Sequence, residues 1–109
     1  MTEVFVKTEN DRIVSVESKG HAGFARRGKD IVCAAVSILM INTVNSIHNF
    51  TEDKIEVNSD QEKGEISFSL SKDYSEKTEV LLKALVLGLS GIEEGYPKNF
   101  RLYTEEVLK

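Results

Sequence analysis

Twice along this chain a pair of short alternating segments is followed by one long apolar stretch of helical character, and that order constrains the fold more than any other feature. The first pair covers residues 3–8 and 12–18, rich in Val and Ile, with Asn10-Asp11 supplying turn chemistry between them. In 12–18 the residues Val14, Val16 and Ser18 alternate with Ile13, Ser15 and Glu17, so Ile13 stands apolar on an otherwise polar side. The second pair covers 54–59 and 65–70, where Ile66, Phe68 and Leu70 alternate with Glu65, Ser67 and Ser69, and 60–64 is the turn. A helix is predicted from Asp30, whose carboxylate can accept a backbone N–H of the first turn, to about Asn49. Another starts near Ser75 and ends between Gly91 and Gly95, with Pro97 stopping any continuation. Residues 99–104 read as a last strand.

The order ββαββαβ with short hairpins predicts an α+β fold, a mainly antiparallel sheet with two helices packed on it. At 109 residues, with no linker or low-complexity segment, the chain is expected to be a single domain spanning 1–109. Its two ββα halves match in order but not in sequence. The second helix is apolar around most of its circumference between Val80 and Leu89, which one sheet face alone would not require. Either it forms a subunit interface, or it is sandwiched between the sheet and the first helix in a monomer. A domain this short buries only about two-thirds of its unfolded surface, so a homodimer is one way to cover more.

Charge and cysteine count narrow the function classes. A net charge of −4 argues against direct nucleic-acid binding, which needs a basic face, and accommodates a basic partner. One Cys excludes an intramolecular disulfide, and one Cys with two His falls short of a four-ligand zinc site, so no metal or cofactor is expected. Met1 to Val4 show no basic n-region. The apolar runs 31–41 and 79–92 are shorter than the roughly 20 residues of a membrane span. A cytoplasmic protein with no membrane partner is the expectation.

The cysteine is therefore packing or chemistry. Three positions after Asp30, Cys33 falls in the first helical turn, where backbone N–H groups lack partners and the helix dipole is positive. Both effects favour a thiolate, the reactive form of the group. The bland alternative stands beside it: unpaired cysteine is among the most buried residue types, and Ile31 to Val36 is an apolar run. A thiol nucleophile needs a base, and His48 lies fifteen residues along the same predicted helix, roughly 22 Å away at about 1.5 Å per residue. His21 remains, flanked by Gly20 and Gly23 in a loop that also holds Gly28 and the basic Arg26, Arg27 and Lys29. Ser37, one turn after Cys33, could line the site or hold a substrate carbonyl, or simply bond its own helix backbone. The three basic residues read as solvated loop charges before they read as a substrate grip.

Gly20-His21-Ala22-Gly23 followed by Gly28-Lys29-Asp30-Ile31-Val32-Cys33-Ala34-Ala35-Val36-Ser37 resembles the signature of the ribosomal-processing cysteine protease family, Prp. Both blocks occur in the family's order and spacing, and Gly95-Tyr96-Pro97 before the last strand extends the likeness over essentially the whole chain. The resemblance implies an endopeptidase that removes the N-terminal extension of a bacterial large-subunit ribosomal protein, the one numbered twenty-seven, after a paired-phenylalanine segment. It further implies a homodimer and a glycine-rich loop, with Gly23 and Gly28, that is mobile until substrate binds. By the same carry-over His21 is the base and Cys33 the nucleophile, while Gly20, Asp30 and Ser37 match supporting positions. Two roles stay open for Asp30: capping the helix alone, or also orienting His21. Phe24-Ala25-Arg26-Arg27 departs from the family in being more basic, which leaves the grip on substrate open. The rival readings are a non-enzymatic ribosome-associated binding module in which Cys33 only packs, and a dimerising α+β adaptor; RNA binding lacks a basic stripe and paired aromatic platforms.

Overall fold

The computed structural model describes residues 1–20, 31–60 and 62–107. Its elements run β1 Thr2–Glu9, β2 Arg12–Lys19, α1 Ile31–Phe50, β3 Glu56–Asp60, β4 Glu65–Ser69, α2 Glu76–Gly95 and β5 Phe100–Glu106. The five strands form one sheet in the order β3-β4-β2-β1-β5. Three neighbouring pairs are antiparallel, and β5 joins β1 in parallel. The ββαββαβ order and the mainly antiparallel sheet match the sequence reading, with one parallel edge that it did not anticipate.

The β1–β2 hairpin closes through Asn10 (φ 53°) and Asp11 (φ 65°). Positive φ at both central residues is the turn geometry that follows the twist of a hairpin, and Asn and Asp are among the few side chains that tolerate it. The register then slips: Lys7 faces Ser15 but Thr8 faces Ile13, so Val14 is the extra residue of a bulge. That bulge settles the anomaly of Ile13, because it brings Ile13 onto the same face as Val16, packed against the core.

Inward from that face, Val4, Val6, Val16 and Phe68 meet the helices. α1 buries Val32, Val36, Met40, Thr43 and Ile47, a single stripe at helical spacing. With twenty residues and a mean hydropathy of 1.7, α1 is by length and composition long enough to cross a membrane, longer than the apolar run 31–41 taken from the sequence. Its stripe is nonetheless part of the domain core. α2 buries Leu82, Leu85 and Leu89, with Leu81 and Val86 partly covered. Its N-cap is Ser75, whose hydroxyl accepts from the Thr78 N–H, and Glu76 and Glu79 sit in the first turn against the positive end of the dipole. The sandwich reading of α2 thus accounts for most of its apolar girth. Val80 and Leu87, 64% and 75% exposed, are left over.

Candidate active site

The topology decides which chain ends meet. Thr2 N–H donates to Asn99 O just before β5, so the stretch leaving α2 arrives where β1 begins, and β1 begins beside the end of β2. α1 runs antiparallel to α2: Leu39 lies against Gly88, and Thr51, beyond the end of α1, meets Thr78 in the first turn of α2. The start of α1 therefore stands at the same end of the sheet as the close of β2. Gly20, at the close of β2, and Cys33, at the start of α1, share that end.

Gly20 has φ +79°, and a Cβ there would come within 2.9 Å of the Met1 carbonyl oxygen. Only glycine fits a backbone that both takes the left-handed region and approaches another chain segment this closely. Gly20 therefore fixes how the chain leaves β2 on its way to residue 21. Cys33 is the third residue of α1 and half-buried, in the first turn, whose N–H groups have no intrahelical acceptors. Ser37 follows one turn later, also half-buried. His48 sits fifteen residues beyond Cys33 in one unbroken helix and is exposed, so its separation of about 22 Å is built into the fold. His21, Gly23, Gly28 and Asp30, and with them Arg26, Arg27 and Lys29, lie outside the described residues.

Two polar side chains that the sequence did not single out lie buried at this end. Ser18 Oγ donates to the Ile66 carbonyl at 3.2 Å. Thr2, 1% exposed, has its hydroxyl without a partner among the described residues. A third feature, the Glu93 carboxylate near the end of α2, accepts the outward N–H of Leu102 at 2.7 Å and so ties α2 to the edge strand β5. The IEE run 92–94 was the only sequence trace of it. No three His, Cys, Asp or Glu side chains gather as metal ligands among the described residues. A half-buried thiol in a helix's first turn is equipped for nucleophilic chemistry, because a thiolate there faces the positive end of the helix dipole.

Comparison with known proteins decides the family. The family described as Cysteine protease Prp matches residues 1–101. The chain belongs to the Prp cysteine protease family. Among its Prp relatives, the ribosomal processing cysteine protease Prp of Staphylococcus aureus (strain Mu50) is 31% identical over 97 residues, 87% of this chain and 92% of that one. The protein of the same description from Bacillus subtilis (strain 168) is 29% identical over 109 residues, 95% and 97% of the two chains. The crystal structure of S. aureus Prp, an essential ribosomal processing protease, with a covalently linked product peptide superposes with a TM-score of 0.88 at 28% identity, covering 95% of this chain and 99% of that one. A second S. aureus Prp structure, with a substrate peptide, gives 0.86 at 27% identity and the same coverage. This Prp-family chain is thus a cysteine protease on a five-stranded α+β scaffold.

Proposed function

We propose that this protease removes the N-terminal extension of a large-subunit ribosomal protein, the one numbered twenty-seven, cutting after a paired-phenylalanine segment. Cys33 is the nucleophile and His21 its base. The observation that carries the assignment is the placement of Cys33 in the first turn of α1, at the end of the sheet where β2 delivers the chain through Gly20 to His21. The Cys33 thiolate attacks the scissile carbonyl carbon, and the imidazolium of His21 protonates the leaving amine. Water, deprotonated by His21, then cleaves the thioester and restores the thiol. Backbone N–H groups of the first helical turn are the donors available to the oxyanion. Asp30 caps or orients, and Ser37 lines the site.

The reading also includes a cytoplasmic location and a homodimer. Val80 and Leu87 on α2, with Ile38 (66% exposed) and Ile41 on α1, give a second copy an apolar helical surface to cover. A basic ribosomal protein suits a chain of net charge −4. The substrate is tested with two synthetic peptides, one spanning the extension and one with both phenylalanines replaced by alanine, read by mass spectrometry. Cleavage of the first alone, after the aromatic pair, is the expected result; equal cleavage of both, or of neither, contradicts the substrate assignment. His21→Ala is expected to lower kcat by about 10²-fold or more, the usual scale of a lost general base.

A further inference from the structure

α1 carries Cys33 and Ser37 on its first two turns, and it packs more closely against α2 than against any single strand. At one described point the Leu39 side chain of α1 reaches the bare backbone of α2. A Cβ built on Gly88 would lie 3.0 Å from Leu39 Cδ1 and 3.2 Å from Cδ2, so the Leu39 side chain occupies the room that a side chain at 88 would need. Gly91, one turn further along α2, has open space around it. A glycine inside a helix is less stable than alanine there, so its presence at Gly88 needs a compensating contact, and the seat it leaves for Leu39 is one. Leu39 lies six residues after Cys33 and two after Ser37 on one continuous helix, so a shift of α1 forced at Leu39 would be passed on to the turn that holds the thiol.

We infer that Gly88 is a positioning residue of this protease: the bare backbone there lets Leu39 seat α1 against α2 and thereby sets where Cys33 stands at the end of the sheet. The inference rests on Cys33 being the nucleophile. A misplacement of about 1 Å caused far from the chemistry can cost about 10²-fold in rate, so a modest lift of α1 is enough to be read.

The test compares the full-length parent with Gly88→Val, Leu39→Ala, Gly88→Val/Leu39→Ala and Gly91→Val. Each is measured for kcat and KM on the extension peptide, for the rate of Cys33 alkylation by iodoacetamide across pH, and for its melting temperature. Gly88→Val is expected to lower kcat about 10-fold or more, with KM changed less than about twofold and the alkylation profile shifted. Removing the Leu39 side chain in that background is expected to restore most of the loss, and Gly91→Val to match the parent. A purely structural role would move the melting temperature and leave the kcat of folded protein and the alkylation profile alone, which overturns the inference. So would a loss that Leu39→Ala leaves unrelieved, or an equal loss in Gly91→Val. If Gly88→Val does not fold, Gly88→Ala serves: a kcat lowered about two- to threefold and relieved by Leu39→Ala supports the inference, and parent-like kcat overturns it. Failure of the nucleophile assignment shows separately, as cleavage surviving in Cys33→Ala.

Discussion

The two ends of the sheet are held in different ways. At the turn end the ties are many and redundant. The Arg12 guanidinium donates to the carbonyls of Lys72 at 2.7 Å and Tyr74 at 2.9 Å, lies 4.1 Å from the centre of the Tyr74 ring, and faces Glu79 at 3.5 Å. Beside it Asp53 accepts from the Ser75 N–H and hydroxyl and from the Thr78 hydroxyl, joining the end of α1 to the start of α2. Glu106 accepts from Asn10 N–H and from the Thr8 hydroxyl, fastening the last strand to the first hairpin. At the other end, where Gly20 and Cys33 lie, Thr2 keeps a buried hydroxyl without a partner among the described residues, and Gly20 combines a positive φ with a backbone approach too close for any Cβ. Among the described residues, the cross-ties at the turn end converge on Arg12, Asp53 and Glu106, while at the site end the close backbone approach at Gly20 stands beside the ties of Ser18 and Glu93.

That contrast can be broken from either side. The largest effect belongs to Gly20→Ala, which combines positive φ with a contact to the Met1 carbonyl that nothing flexible can relieve. It is expected to cost about 2 kcal/mol in chemical denaturation and to lower protease activity by more than the loss of folded protein explains. Next comes Arg12→Ala, expected to cost about 1–2 kcal/mol by the same measurement through its two carbonyl bonds and the ring beneath it, with kcat/KM per folded molecule unchanged. A comparable loss of activity there would deny the separation of the two ends.

Asp53→Ala is expected to cost about 1 kcal/mol, and its pH dependence has a definite sign. Hydrogen bonds from Ser75 and then Thr78 hold the Asp53 carboxyl below its usual value of 3.8. The folded state thus favours the ionised form, so the contribution is complete above that value and fades as pH falls through the lower folded one. Melting of parent and variant should differ at pH 6 and converge in strong acid; a constant gap would contradict the assignment. The smallest effect, of opposite sign, is expected from Thr2→Val. Replacing a buried, unsatisfied hydroxyl by a methyl of the same shape should raise stability by up to about 1 kcal/mol. A drop instead would mean the hydroxyl has work at the site end.

Much of the scaffold was legible in the residues. The alternation of Ile66, Phe68 and Leu70, the Asn10-Asp11 turn and the helix start near Ser75 each act within a few residues of themselves, and each appears in the structure where the pattern put it. β3 was less so: expected over 54–59, it runs Glu56–Asp60 with every residue exposed, while Ile55 just before it packs on the core. Pairing across the sequence left no local mark, so the parallel partnership of β1 with β5 and the bulge at Val14 came only from the structure. For the candidate site, Cys33 and Gly20 were singled out through a predicted helix cap and a glycine motif. The contact of Gly88 with Leu39 left no mark in the sequence, because it is made with a neighbour on another helix.

The most direct test of the central claim, that Cys33 in the first turn of α1 performs the cleavage, sets the parent and Cys33→Ala side by side on the extension peptide. Mass spectrometry reads the products, and thermal melting confirms that both are folded. The account predicts cleavage after the paired phenylalanines by the parent alone, with the melting temperatures close together. Cleavage by folded Cys33→Ala at a rate near the parent's would contradict it.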